Sequence, residues 1–464
     1  MNNIRAFAFR EQGESHKVKN KVCQDSAIKY CNSEKGLYII AVSDGHGGES
    51  YFRSDKGSEL LTEITIEKTK KFIEELYDDK NNSPGSLFNS PVKQGIAITT
   101  SETPGNILAN TTPQIDEEDK RFRIFLSSIE EKWKSEILKH WQENKPSKEE
   151  MEKANISTET INNFLMDRNI EEAYGCTLIS VTRTNDFWIA FQIGDGKCVV
   201  FNEKAEWEEP IPWDERCMGN LTTSMCNYDA VNSFRYYFTN QNFPAAIFIG
   251  SDGMDDAYGG DMKQLASLYR NIIKSYGING VEQTEEMIIK MLPELSKNGL
   301  AKDDMSLAGI IDLGKVETLV PIIEDITKKE KKETIKILKE DIKQTKDAIE
   351  KQMNEELKHE NELSNIGNEI ENLDKKISEK TENIKTSSSL FEKILNLISQ
   401  LRSDIIAENS AIEKIFKSKN ELNSKKTIIS SDVQDLKRRK SLKERELKRL
   451  LTNYESITGE KYEL

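Results

Sequence analysis

The chain has 464 residues, room for more than one domain, with 31% charged and 36% apolar residues and a formal net charge of −14. That charge content is high for one compact domain and predicts an elongated, solvated part. Residues 321–464 carry 30 Lys and Arg against 29 Asp and Glu, which leaves 36 against 51 in the first 320 residues. So acidic a front part argues against nucleic acid as the main partner, because phosphate backbones attract Lys and Arg, and suits cation binding.

Along the first 320 residues, strand-like and helix-like stretches alternate. Residues 37–42, 176–182, 187–193, 197–202, 245–249 and 306–311 are rich in β-branched and apolar side chains bounded by Gly and Asp, which predicts strands. Helices are predicted over 49–77, 120–143, 263–276 and 282–298. Between the first two helices, residues 78–119 are rich in Asn, Ser, Thr, Pro and Gly and read as a flexible insertion without a core of its own. The clustered elements predict a layered α+β domain.

Composition changes near Pro321. All five Trp, all six Cys and all ten Pro lie at or before it, and only Gly367 and Gly459 follow. This places a domain end at 315 and a linker over 316–328. Beyond it, Ile366, Ile370, Leu373, Ile377 and Ile384 form one heptad series, and Ile398, Leu401, Ile405, Ile412, Ile415 and Leu422 a second. Steps of four and three wind helices around one another, so residues 329–455 are predicted as an all-α coiled coil. Ser389 followed by Glu392 is a helix-start signal. It fits an antiparallel helical hairpin turning near 386–389; one long helix paired with a second chain fits the same pattern.

The cysteines form no C-x-x-C pair and are expected to be reduced, buried thiols of a cytoplasmic protein. The first residues, Met1 to Arg5, hold no apolar signal core. No apolar run approaches the ~20 residues that span a bilayer, so no membrane partner is expected.

Four acidic segments adjoin strand candidates: Asp44-Gly45-His46-Gly47-Gly48, Gly194-Asp195-Gly196, Gly250-Ser251-Asp252-Gly253-Met254-Asp255-Asp256 and Asp303-Asp304-Met305-Ser306. Each places an Asp beside Gly or a second Asp at a strand end. Any one alone is an ordinary turn. Together they project carboxylates into one cleft, where mutual repulsion calls for a cation. Hard ions such as Mg2+ and Mn2+ prefer such oxygen ligands.

With Gln24-Asp25 and Gly175-Cys176-Thr177, these segments resemble, in order and spacing, the metal-dependent protein phosphatases of the 2C type, over about residues 7–313. The resemblance implies a four-layer α-β-β-α sandwich over 1–315, two antiparallel sheets flanked by helices, and a Ser/Thr protein phosphatase acting on a phosphorylated protein, the target or partner of a Ser/Thr kinase. It implies two Mn2+ or Mg2+ ions: Asp44 bridges both, the Gly45 carbonyl helps hold the second, Asp252 and Asp303 complete the first site, and Asp25 supports the second. Asp195 matches the residue that recruits a third, weaker ion with Asp252, and His46 the general acid. Asn20 stands where many members carry a phosphate-gripping Arg. A bacterial subgroup shares the Ser15-His16 pattern, so His16, Lys19 or Lys21 is expected to replace that Arg. The coiled coil is expected to serve targeting or assembly, through a partner or self-association. The missing Arg and large tail also fit a weakly active phosphatase-like scaffold.

Overall fold

A computed structural model describes residues 3–78, 87–88, 90–96, 117–218 and 221–387, and in the C-terminal segment residues 410–421, 423–424 and scattered positions to 452. In chain order the elements begin with β1 (Ile4–Glu11), α1 (Glu14–Val18), β2 (Ser26–Asn32), β3 (Leu37–Ser43), α2 (Ser54–Asp78) and β4 (Val92–Ile96). Next come α3 (Glu117–Glu143), α4 (Lys148–Lys153), α5 (Thr158–Leu165), α6 (Ile170–Ala173), β5 (Leu178–Arg183), β6 (Trp188–Ile193), β7 (Lys197–Phe201) and β8 (Trp207–Glu208). The series ends with β9 (Arg235–Thr239), β10 (Ala246–Gly250), α7 (Asp252–Asp256), α8 (Met262–Asn298), β11 (Met305–Asp312) and α9 (Leu313–Ser387).

The strands form two antiparallel sheets, ordered β1-β11-β10-β7-β8 and β2-β3-β5-β6-β9-β4. Three apolar cores bind the layers. Ile40, Val181, Ile249 and Ile310 lie in the core between the sheets. Ile39, Phe191 and Phe238 pack with Leu61, Phe125 and Trp133 of α2 and α3. Phe7, Phe248 and Leu307 pack with Tyr269, Ile272 and Ile288 of α8. Central strands buried on both faces read as continuous apolar runs, as in β3, β5, β6 and β10. The result is a helix–sheet–sheet–helix sandwich.

The predicted strands and helices all lie in or over observed elements. The two helices expected at 263–276 and 282–298 are joined in α8 across Gly280, whose φ of 76° breaks the helical path. Within the insertion expected to lack a core, residues 87–88 and 90–96 are described, and they depart from that reading. Leu87 and Phe88 are buried, Phe88 stacks on Tyr236 with ring centroids 5.4 Å apart, and β4 pairs with the edge of β9. The edge of an existing sheet supplies the order that local composition does not. Residues 79–86 and 97–116 lie outside the described residues. The thiols also differ: all six are free, but only Cys176, Cys198 and Cys217 are buried, and Cys31 is exposed.

The chain divides into two compact units, Met1–Thr327 and Lys328–Leu464. Residues 316–328, expected as a linker, are helical within α9. In the first unit Val316, Leu319 and Ile323 bury their side chains in the α8 core. In the second unit Ile366, Ile370, Leu373 and Ile377 are half-buried, as are Ile412 and Ile415. Lys419 pairs with Asp374, and Lys437 lies 3.3 Å from Glu356. Eighteen residues back along one helix thus match eighteen forward along the other, the register of antiparallel neighbours. The turn expected near 386–389 falls at and beyond the limit of the described residues.

Trp133 of α3 is fully buried, and its Nε1 donates to Gly57 O of α2 at 3.0 Å. Trp133→Ala is expected to cost about 3–5 kcal/mol of stability, measured by urea unfolding. A loss below about 1 kcal/mol would show that the α2–α3 layer is not built on this contact.

Candidate active site

The strand registers decide which residues meet. Ser26 pairs with Ser43, Leu178 with Ile193, Gly250 with both Lys197 and Leu307, and Glu11 with Met305. The residues just outside these pairs, Asp25, Asp44, Asp195, Asp252 and Asp303, therefore gather at one end of the sandwich. The backbone holds the Asp44 loop closely. Thr177 N donates to Asp44 O at 2.8 Å, and Asp44 N donates to Thr177 Oγ1 at 3.1 Å. A Cβ at Gly45 would lie 2.5 Å from Gln24 O, so only glycine brings this loop against the Asp25 segment. Gly194, at φ +107°, turns the chain into Asp195 with its Cα against Thr177.

The carboxylates disturb one another. Burial pushes Asp44 well above the ordinary carboxylate range, and the charges of Asp252, Asp25 and Asp195 push it further. Burial lifts Asp25 to about 7, against the pull of the Ser251 hydroxyl. Asp252 rises to about 6, chiefly by burial, with Asp195, Asp256 and Asp303 adding to the rise. Among the described residues no Lys or Arg forms an ion pair with Asp25, Asp44, Asp195 or Asp252. The Asp25 Oδ2 is buried without a hydrogen-bond partner. Buried, crowded, unpaired oxygens of this kind fit hard divalent cations. Two further members, Asp255 and Asp256 of α7, end the acidic run that begins at Asp252, and the sequence assigned them no role. Burial pushes Asp255 to about 7. The run Asp252-Gly253-Met254-Asp255-Asp256 was their only signal.

His46 is recessed beside this cluster. Its N–H donates to Gly175 O at 3.1 Å, its ring meets Tyr51 edge-on at 4.8 Å, and its Nε2 lies 2.7 Å from Ser224 Oγ. The Ser224 hydroxyl also lies 3.1 Å from Cys176 O, to which it can donate while accepting from a protonated Nε2. Burial lowers His46 to about 4, so the free imidazole is neutral at pH 7. Ser224, far away in sequence, could not have been tied to His46 by any motif.

The three candidates for the phosphate grip part company. Lys21 Nζ donates to Gly47 O at 3.2 Å and so stands on the rim of the His46 loop. Lys19 is exposed. Asn20 adopts φ +53°, a left-handed turn that ends the segment begun by α1. His16 is buried, with Nδ1 2.9 Å from Asp304 Oδ2 and Nε2 3.6 Å from Asp303 Oδ1. Asp304 was passed over beside Asp303. It is buried and also accepts from Gly13 N at 2.6 Å and Gln24 N at 2.5 Å. Despite burial, the His16 hydrogen bond and these N–H groups leave its carboxyl below the ordinary range, and the same bond raises His16.

The sequence model for protein phosphatase 2C matches residues 12–292, more than half the chain. The chain belongs to the protein phosphatase 2C family. It is a phosphoprotein phosphatase, and the family is generally Mn- or Mg-dependent. Solved structures similar to it include a bacterial serine phosphatase, at 14% identity and a TM-score of 0.37 over 67% of this chain and 98% of that one. The serine/threonine phosphatase Stp1 from Staphylococcus aureus matches at 14% and 0.38 over 66% and 94%. PppA, a regulatory component of T6SS in Pseudomonas aeruginosa, matches at 13% and 0.36 over 66% and 97%. A comparison with curated proteins gives no match. No helix among the described residues is long and apolar enough to cross a membrane.

The raised carboxylates fix a sign for pH dependence. Groups that hold protons more tightly folded than unfolded stabilise the fold most below the ordinary carboxylate range, and that stability is lost as pH rises to their folded values of about 6 to 7. In the presence of a chelator, the melting temperature is expected to fall between pH 5 and 8. Mn2+ at 100 times its Kd should restore ~2.7 kcal/mol, and one fixed Mn2+ concentration should restore more at pH 8, where the carboxylates bind it more tightly, than at pH 5.5. A melting temperature that rises with pH in chelator would contradict this reading.

Proposed function

We propose that this phosphatase removes phosphate from serine or threonine of a phosphorylated protein, the target of a Ser/Thr kinase, using two Mn2+ or Mg2+ ions. The observation that carries this reading is the cluster of carboxylates that no Lys or Arg pairs with among the described residues, above all buried Asp25 with its unpartnered Oδ2. Asp44 would be shared by the two ions, and the Gly45 carbonyl would help hold the second. Asp252 and Asp303 would complete the first site, Asp25 would support the second directly or through water, and Asp195 with Asp252 would take a third, weaker ion. When bound, the ions supply an acidified water as nucleophile near neutral pH and screen the phosphoryl oxygens.

The protein's own groups do the rest. Lys21, held over Gly47, is placed to attract the substrate phosphate at the rim, the work of the Arg that Asn20 replaces. His46 is the proton donor to the leaving alkoxide. The free ring is neutral, so this role requires the phosphate dianion to raise it, as an opposite charge within a few ångströms does. Ser224 holds Nε2 and so fixes the plane of the ring. The helices after Lys328 serve targeting or assembly in this reading. The antiparallel register of their ion pairs supports an intramolecular hairpin over 329–455.

Manganese-dependent hydrolysis of a phosphothreonine peptide tests the reading. Asp44→Asn and Asp252→Asn are expected to lower kcat by at least 100-fold, and Lys21→Ala to raise KM several-fold. Wild-type protein inactive with both Mn2+ and Mg2+ would sink the enzymatic reading in favour of a scaffold.

His46 is tested by changing the leaving group. His46→Gln should slow phosphothreonine peptide by about 10²-fold, while 4-nitrophenyl phosphate, whose leaving group needs no proton, changes little. Equal losses on both substrates would remove His46 from the proton-donor role.

For the tail, the mass of residues 321–464 in solution is expected to be that of a monomer. A stable dimer would favour the long helix paired with a second chain.

A further inference from the structure

We propose that His16 is a positioning residue: with Asp304, it holds the Asp303 carboxylate in the orientation that binds a divalent ion. The inference rests on the reading of Asp303 as a metal ligand. The Asp303 side chain is 64% exposed and sits in the turn before β11, so nothing in its immediate surroundings packs it in place. Two contacts act on one of its oxygens. Asp304 N donates to Oδ1 at 2.9 Å, and His16 Nε2 faces the same Oδ1 at 3.6 Å. Both therefore orient the carboxylate from one side and leave Oδ2 for a ligand.

His16 can do this because Asp304 fixes it. The ring is 7% exposed, and its Nδ1 is 2.9 Å from Asp304 Oδ2. Asp304 in turn draws Gly13 N and Gln24 N, so one buried carboxylate ties the turn after β1, helix α1 and the segment before Asp25 to the head of β11. Side chains that orient a metal ligand from its outer side commonly set affinity by 10–100-fold, and here that outer contact is the ion pair of His16 Nε2 with Asp303 Oδ1.

Two other roles fit less well. A phosphate dianion approaching the His16 ring would meet the exposed Asp303 carboxylate, with the Asp304 carboxylate behind the ring, and like charges oppose it. The ligand atoms of His16, Asp303 and Asp304 lie within 4.8 Å of one another, which suggests an ion among the three. Asp304, however, already accepts from two backbone N–H groups and His16, which uses up much of its acceptor capacity.

The experiment measures Mn2+ affinity by calorimetry alongside the steady-state kinetics of phosphothreonine peptide at saturating Mn2+. His16→Ala is expected to weaken Mn2+ binding about tenfold while KM moves less than twofold. His16→Gln, whose amide can reach the Nε2 position, should recover most of the affinity. His16→Asn, which keeps only the bond to Asp304, should stay folded by circular dichroism and remain weak, and it decides the matter if the alanine variant does not fold. Unchanged Mn2+ affinity in His16→Ala and His16→Asn, with or without a raised KM, overturns the proposal; with the raised KM it returns His16 to the substrate phosphate. Wild-type protein that binds no Mn2+ would instead overturn the reading of the carboxylate cluster itself, and this inference with it.

Discussion

Mutual repulsion among carboxylates at one end of the sandwich is the constraint around which the rest of the structure is arranged. Asp25, Asp44, Asp195 and Asp252 are drawn together by strand register and held there by backbone contacts, with no Lys or Arg paired to them among the described residues. Such a cluster opposes folding at neutral pH, as the raised Asp44, Asp25 and Asp252 carboxyls show. The three apolar cores offset that cost, because they bind both sheets and both helical layers into one cooperative unit that a few repelling charges cannot open. Strain of this sort persists where the surroundings over-determine it, and it is what makes the site receptive to cations.

The two neighbours Asp303 and Asp304 show how one backbone step separates two tasks. Asp304 faces inward and is surrounded by N–H donors, so its carboxylate stays ionised and structural. Asp303 faces the cleft and keeps an oxygen free. The bend before β11 turns the two side chains apart, so the doublet gives one carboxylate to the frame and leaves one exposed.

The order and spacing of the acidic motifs made the family legible, and the apolar runs of β3, β5, β6 and β10 made the central strands legible. What escaped has a common cause. β1, β2 and β9 carry Arg, Lys or Glu among their residues and take their strand form from partners: β1 from β11, β2 from β3 and β9 from β6. Arg235, buried in β9, is tolerated because its guanidinium reaches Pro212 O and Gly194 O with Asp214 nearby. The short helices α4, α5 and α6 are too brief for a clear period, although Ser147 and Ser157 cap the first two through Glu150 N and Thr160 N. Leu87 and Phe88 looked like residues of a loose insertion because their partners, Tyr236 and Phe238, lie almost 150 positions away.

The sequence by itself determined the class of chemistry: an acidic first part, a fixed order of Asp-Gly turns after apolar strands, and a charged heptad tail. Those properties are local, written in composition and spacing. Only the tertiary structure decided which side chains face one another. It set His16 against Asp303 and Asp304 rather than leaving it as a free cation at the rim, gave that rim to Lys21, and put Ser224 on His46. Each of these pairings depends on sheet register and on layers meeting across large separations in the chain, and a burial or a hydrogen bond made at that range leaves no local signal to read.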